Sequence, residues 1–445
     1  MHLRLVALTF LLLAAVALVS AQGRNLTLDQ AVRIALDSNL SVIQAQNNLE
    51  ATESGVLASY GRYLPFISGG GGWTRYQNEG QLYAGGIPIP GSSATVTSES
   101  FSASLNASLT LFDGFDRGAN VNRANAVKEA AGHTVVRTRQ SIVFQVESSY
   151  LNVLRVEQLV QVALENLKRD NRQLERITES NRVGALSLAD VYRQQSQVAS
   201  DELLVINAQN NYGKSKADLV ALIGLSMDQD YQFSDPSMSV SIDSAEVKVL
   251  RAEYSNRAAL TSRALSVRPD YLGFKNNYEA SSSGVTSAKS NYFPSLSAFA
   301  GLSSNEELLG RVFQPKSFSW GVRLNWTIFD GFGTNMAVQN AIAGRRNAEI
   351  TIAQAERNIS VEIRKAQLDL DAAVKQSDVS QKGVLSASED RKIAEERYNL
   401  GAGTLLDLLT ANAGLVNAQA NYVNASYNYI IAKRNMEYVL GERVY

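Results

Sequence analysis

Few side chains in this sequence are suited to covalent chemistry. There is no Cys, and the two His are His2, in an apolar leader, and His133. His133 lies in a polar, helix-patterned stretch, where a solvated surface role fits better than catalysis. No nucleophile stands in a recognisable spacing with a base. No His/Asp/Glu set has metal-ligand spacing, and no glycine-rich loop opens a helix to cradle phosphate. No enzyme activity, cofactor or metal site is therefore expected. What remains is electrostatics. Asp190 and Asp407 each fall six residues after a glycine, Gly184 and Gly401. Gathered around one aperture, such carboxylates favour cations and repel anions. An acidic residue in a first helical turn also suits the helix dipole, and both readings stand.

The two Asp belong to a duplication of the whole chain. Phe112-Asp113-Gly114-Phe115 recurs 217 positions later as Phe329-Asp330-Gly331-Phe332. At the same offset Gly184-Ala185 matches Gly401-Ala402, Asp190 matches Asp407, and Gly224 matches Gly441. Upstream the offset is 229: Ala35 matches Ala264, Tyr63 matches Tyr292, and Pro65 matches Pro294. The twelve-residue difference therefore lies between the Pro and the Phe-Asp-Gly-Phe. Exposed loops accept such length changes and packed elements do not.

Strand signals flank that variable segment. From Phe101 to Leu111, and from Phe318 to Ile328, apolar and polar residues alternate. Each run has about the 9–11 residues of a tilted transmembrane strand. Weaker partners follow Pro65 and Pro294. Loops are expected at 77–99 and 303–316, both rich in turn residues. Asp capping a helix start and Gly permitting a bend account for the Phe-Asp-Gly-Phe. Its aromatics (Phe112, Phe115, Phe329, Phe332), with Trp326, suit a bilayer interface. Pro65 and Pro294 mark the opposite, helix-to-strand junctions.

Long, proline-free helical patterns follow each motif. They break at Arg182-Val183-Gly184-Ala185-Leu186 and at Leu400-Gly401-Ala402-Gly403, which read as tips of helical hairpins. The expected organisation begins with a signal peptide over 1–21. A first repeat over 22–225 has strands at about 64–76 and 100–112 and a helical hairpin at about 114–223. A connector follows over 226–256. The second repeat, 257–445, has strands at about 293–302 and 317–329 and a hairpin at about 332–440. The leader has Arg4, an apolar core and Val19-Ser20-Ala21, a small-residue cleavage site. With no Cys to acylate, no lipid anchor is expected. Net charge is 42 − 43 = −1, so no basic excess points to nucleic acid.

Four strands cannot close around an interior, and known barrels begin at about eight. Open edges in lipid are costly, so other copies of the chain must complete the sheet. Two copies give a narrow barrel, three give twelve strands and twelve helix columns.

The order and spacing of these features resemble the TolC-type outer membrane efflux family over nearly the whole mature length. The resemblance implies a mainly α fold with a small membrane β-barrel. It implies a homotrimer, a twelve-strand barrel in outer membrane lipid continuous with a periplasmic helical barrel, and a passive exit duct for efflux or type I secretion. An inner-membrane pump or ABC transporter would drive it through a periplasmic adaptor docked at the tips. It also implies a closing network at the tips, with Asp190 and Tyr398 in the family's Asp and Tyr positions. Gly403 stands where the family has an Arg, and Thr410 where it has a second acid. Two other classes are a periplasmic coiled-coil scaffold, which leaves the alternating strands unexplained, and a surface adhesin using the strand loops.

Overall fold

The computed structural model describes residues 24–235 and 244–443; the leader 1–21 and Pro236 of the connector lie outside them. In chain order the elements are β1 (Arg24–Leu26), α1 (Leu28–Ser38), α2 (Leu40–Gly61), β2 (Phe66–Ala84), β3 (Ile87–Phe112), α3 (Asp116–Arg182), α4 (Leu188–Ile223) and β4 (Tyr231–Phe233). There follow α5 (Ser244–Glu253), α6 (Arg257–Val267), α7 (Pro269–Ser290), β5 (Ser295–Glu306), a 3₁₀ turn (Leu309–Arg311), β6 (Ser317–Asn325), α8 (Gly333–Asn399) and α9 (Leu405–Leu440). The duplication is carried into element lengths. Helices α3 and α8 each have 67 residues, α4 and α9 each 36, α2 and α7 each 22, and α1 and α6 each 11. No described helix is long and apolar enough to cross a membrane.

The chain forms two compact units. One comprises Asn48–Gly132 and Gly273–Ala353 and holds a four-stranded antiparallel sheet in the order β2-β3-β5-β6. Both hairpins share one register: Phe66 faces Ser108, and 229 and 217 positions later Ser295 faces Asn325. The twelve extra residues thus sit entirely at the far end of the first hairpin.

There the sequence expectation is corrected. Residues 77–99 are not a loop: β2 runs to Ala84 and β3 begins at Ile87. Gly85 and Gly86 have φ of +62° and +83°, which lets a two-residue turn close the hairpin directly. Likewise β5 extends to Glu306, beyond the expected 302. In contrast β6 stops at Asn325, short of the expected 329 and of Trp326. Asn325 pairs with Ser295, the first residue after Pro294, so β6 has no strand partner beyond it. β3 does reach Phe112, because Leu296 of β5 pairs with it.

Among the described residues, the second unit comprises 24–47, 133–235, 244–272 and 354–443. Its largest core cluster joins Leu26, Ala31, Ala35, Val42, Val146, Tyr150, Leu219, Ile223 and Phe233. Each fully buried large apolar side chain contributes about 1.5–3 kcal/mol. The parallel pair β1–β4 closes this cluster, with Leu26 opposite Phe233. The Tyr150 hydroxyl donates to Leu26 O at 2.9 Å. Three-residue strands are too short for alternation to reveal, and sequence reading has none at 24–26. The C-terminal part of the connector packs on α8 and α9: Arg251 pairs with Asp371 at 2.9 Å, and Lys433 with Glu246 at 2.5 Å.

At the strand-to-helix turn, Gly114 has φ of +65°, and a Cβ there would lie 2.5 Å from Ser290 O and 2.9 Å from Phe293 Cβ. Gly331 has the same φ but nothing within 4 Å. In a refolded single chain Gly114→Ala is expected to cost more than about 2 kcal/mol, through strain plus displacement. Gly331→Ala should cost about 1 kcal/mol, through strain alone. Thermal unfolding of the two variants measures the difference.

Candidate functional site at the helical tips

Each hairpin of helices turns through a glycine in the left-handed region, Gly184 at φ +78° and Gly401 at φ +70°. Around the first, Ala185 N donates to Ser180 O at 2.8 Å and Gly184 N to Asn181 O at 2.9 Å. The Asn181 side chain donates to Leu186 O at 2.8 Å. Around the second, Ala402 N and Gly403 N both donate to Arg397 O, at 2.8 and 3.0 Å. Orphan carbonyls at the ends of α3 and α8 are satisfied in this way. Arg182, Val183, Gly184, Ala185, Leu400, Gly401 and Ala402 are exposed, while Leu186 and Gly403 are half-buried.

The helices that return from the tips start on hydroxyl caps. Ser187 caps α4, and its hydroxyl donates to Asp190 Oδ2 at 2.8 Å. Asp190 also accepts from Arg193 at 3.3 Å. Thr404 caps α9 in a capping box, with Asp407 N donating to Thr404 Oγ1 at 3.2 Å and Thr404 N donating to Asp407 Oδ2 at 2.9 Å. The backbone and hydroxyl donors of Thr404 hold the Asp407 carboxyl below its ordinary value, and Arg397 adds to this. Both Asp therefore serve their own first turns. Among the described residues no hydrogen bond or ion pair joins them to each other.

Asp190 and Tyr398 are brought close. Tyr398 packs beside Leu174, Leu186 and Leu409 on a small core of Ile177, Val191 and Leu405. Burial, then the Asp190 charge, push its phenol above the ordinary value, and Arg176 opposes this. The Tyr398 hydroxyl nonetheless has no partner among the described residues. At Gly403 a Cβ would lie 3.1 Å from Arg397 Cβ, and the Arg397 guanidinium donates to Ala402 O at 3.2 Å. The cation over this tip thus comes from Arg397, six residues before the position expected from the resemblance. Thr410 spends its hydroxyl on Leu406 O.

Sequence reading missed a polar layer behind the tips. Asp170, Gln194, Asp201 and Asn412 are buried, at 1%, 0%, 1% and 7% exposure. Asn412 donates to Asp170 Oδ1 at 3.3 Å and accepts from Arg391 at 3.1 Å. Arg391 pairs with Glu395 at 2.6 Å, and Glu395 with Arg176 at 3.5 Å. Gln194 donates to Asp170 O at 3.1 Å, and Gln197 to Asp201 Oδ1 at 3.1 Å. One connected set of polar contacts therefore links α3, α4, α8 and α9. The available signal was spacing: Gln194 and Asp201 hold stripe positions among Val191, Val198 and Val205.

The junction residues lie in the sheet-bearing unit. Asp113 accepts from Arg117 N and Nε, and Asp330 from Thr334 N and Oγ1, so each caps the helix that follows. Phe115 and Phe332 take the left-handed conformation, φ +75° and +71°, and stack edge-on against Phe112 and Phe329. After Pro65 and Pro294 the chain enters β2 and β5 at the very next residue. Trp326 Nε1 donates to Tyr292 O at 3.3 Å.

Because the Tyr398 hydroxyl is unsatisfied, Tyr398→Phe is expected to leave thermal stability unchanged or raise it by up to about 1 kcal/mol. Tyr398→Ala should cost about 2 kcal/mol through lost packing of a half-buried ring. Thermal melting of the two variants checks this. A clear loss in Tyr398→Phe would mean that the hydroxyl has a partner in the assembled protein.

Comparison with known proteins bears on the family and the fold. A family model described as outer membrane efflux protein matches residues 31–225 and 260–442. The chain is 23% identical over 328 residues to outer membrane protein TolC of Vibrio cholerae, spanning 72% of this chain and 71% of that one. It is 22% identical over 324 residues to cation efflux system protein CusC of Escherichia coli, spanning 72% and 68%. Among solved structures, the outer membrane protein VceC from Vibrio cholerae superposes with a TM-score of 0.77 at 19% identity, covering 93% of this chain and 96% of that one. The CmeC outer membrane channel of Campylobacter jejuni gives 0.76, also at 19%, covering 93% and 85%. Matched on both sides of the connector by one family model, the chain belongs to the outer membrane efflux protein family.

Proposed function

We propose that three copies of this chain close a twelve-strand barrel in the outer membrane and a helical barrel in the periplasm. The assembly is a passive exit duct of a tripartite efflux or type I secretion system, closed at the helical tips. In this reading 1–21 is a removed signal peptide, 22–225 and 257–445 are the repeats, and 226–256 connects them. No lipid anchor is needed. A periplasmic adaptor docks on Arg182–Leu186 and Leu400–Gly403, and a pump or ABC transporter supplies the energy. Asp190 and Asp407, repeated around the aperture, bias it toward cations.

One observation carries the reading: the first repeat's strand-to-helix junction is covered within the chain and the second's is not. Gly114 is buried against the turn before β5, whereas Phe329, Asp330, Gly331 and Phe332 are all exposed. In this reading a second copy, offering its turn at Gly61–Leu64, supplies the equivalent cover. The free edges of β2 and β6 ask for the same thing. Repeating this head-to-tail contact until it closes gives a ring.

The register follows from the repeat. Leu105 of β3 faces Leu302 of β5. The offsets of 217 and 229 then place Val322 of one copy opposite Trp73 of the next. The chain lacks native Cys, so Trp73→Cys with Val322→Cys is expected to cross-link outer membranes into a ladder ending at three copies. Each single variant should stay monomeric on denaturing gels. A double variant that remains monomeric, in protein that is folded, would sink the closed-barrel reading and favour a scaffold or adhesin.

At the tips, a bulky residue at Gly184 or Gly401 should abolish export while leaving that cross-linked ladder intact. Asp190→Asn with Asp407→Asn should lower cation over anion permeability in planar bilayers by several-fold. Unchanged selectivity would return both carboxylates to capping alone.

A further inference from the structure

The buried carboxyls of Asp170 in α3 and Asp201 in α4 belong to the polar layer behind the tips, and the proposed duct assigns them no role. Both are 1% exposed within a single chain, so their burial does not wait on assembly. The two groups are within hydrogen-bonding reach of one another. Asp170 Oδ2 and Asp201 Oδ2 each find no donor among the described residues. Two carboxylates with unmatched oxygens side by side cannot both stay charged cheaply away from water. One proton between them satisfies both oxygens and removes one charge.

We propose that Asp170 and Asp201 share a proton and form a pH-operated latch that holds α3 to α4 behind the first tip. With the proton bound, Asp201 and Asp170 are tied across the helical hairpin. When it leaves to solvent, two charges repel in the core and the hairpin loosens on its tip side.

The surroundings fit a proton rather than a fixed ion pair. From α3, Arg169 is the nearby cation, but it bonds Asn166 and its Nε has no acceptor among the described residues. Burial, and then Arg391, lower its pKa, while Asp170, Glu165 and Asp201 oppose this. From α4 only neutral amides face the pair: Gln194 gives its N–H to the Asp170 backbone, and Gln197 donates to Asp201. From α9 Asn412 donates to Asp170, and from α8 Arg391 is engaged by Glu395 and Asn412. Burial, then the Asp170 hydrogen bond and charge, push the Asp201 carboxyl up to about 7. A raised carboxyl pKa stabilises the fold fully below the unfolded value of about 4 and loses that stabilisation as pH rises through the folded value. The latch is therefore closed in mild acid and open in mild alkali. Its consequence for passage rests on the tips being the gate of the duct.

The test reads helix separation in the full-length protein, in detergent or lipid nanodiscs. Glu175→Cys and Gln195→Cys, both exposed, accept spin labels at matching levels of α3 and α4 in a chain with no other Cys. Dipolar distances are measured from about pH 5.5 to about pH 8.5, bracketing the transition. The expected result is a narrow distribution in acid that broadens and lengthens with a midpoint near 7, and an Asp201→Asn background that stays narrow throughout. An unlabelled companion measurement is the native-minus-Asp201→Asn difference in the infrared stretch of protonated carboxyls, which cancels the half-buried Glu437, itself pushed up to about 7, and should show one component lost over the same range. If that variant fails to fold, Asp170→Asn takes its place. The proposal is overturned by a native spacing that ignores pH, by a variant that follows the native curve, or by calcium restoring the narrow spacing in alkali, which would make the pair a cation site. Failure of the Trp73–Val322 cross-link would instead sink the duct and leave the latch untouched.

Discussion

An unpaired strand edge is the constraint from which most of this architecture follows. In hydrocarbon each backbone N–H or C=O without a partner costs several kcal/mol. The four-stranded sheet leaves two such edges, on β2 and on β6. The chain already contains the pattern of a remedy, because β3 and β5 join one repeat to the next in antiparallel register, with one irregularity between Thr110 and Phe112. A ring of copies needs no new kind of contact, only the same junction made between chains. In the proposed ring, this accounts for helix lengths that match residue for residue and for hairpins that share a register. Any slip near the junction would turn every side chain to the wrong face of the sheet. The one place where length is free is the far end of a hairpin, and all twelve extra residues are there.

The same demand explains the strained turns. Passing from strand to helix within four residues requires Gly114 and Phe115, and again Gly331 and Phe332, to adopt positive φ. For a phenylalanine this costs about 1–2 kcal/mol. The strain is offset locally by the Asp side chain that caps the helix and by edge-on stacking of the flanking Phe rings. Phe115 and Phe332 remain 63% and 72% exposed. In an outer membrane protein such rings are well placed at the boundary between lipid and water.

How much of this was legible in the sequence depended on the length over which a signal repeats. Helices of 36 and 67 residues carry many turns of apolar periodicity, and Pro or Gly marks their ends. Their positions could be read to within a few residues. The far part of the first hairpin was misread because Gly85, Gly86, Pro88, Pro90 and Gly91 look like a loop, when two of those glycines make a tight turn. β6 was read too long because alternation continues to Ile328 although the partner strand has ended. The β1–β4 pair is too short for any periodic signal. At the tips, the Asp positions were legible from the duplication. The proximity of Asp190 to Tyr398 came from the family resemblance, and the role of Arg397 needed the backbone geometry of the second tip.

The buried polar layer was invisible for a different reason. Reading a helix by its apolar residues steps over Asp170, which stands between Leu167 and Leu174, and over Gln194 and Asp201 in the stripe of α4. Those positions are informative because they are wrong for a core. Apolar residues there would pack four long helices more tightly, and a buried charge is costly beside such alternatives. Polar residues at core positions of coiled coils give up stability and in return fix register. Here the exchange falls just behind the tips, and Arg391, Glu395 and Arg176 extend it to the surface. Exposed pairs of this kind are each worth no more than about 1 kcal/mol. Far from the tips the helices are packed by a large apolar cluster, whereas behind the tips a small apolar core is joined by buried hydrogen bonds and by ion pairs that reach the surface. The proposed duct, assembled at one end and opening at the other, would use that gradient along the same helices.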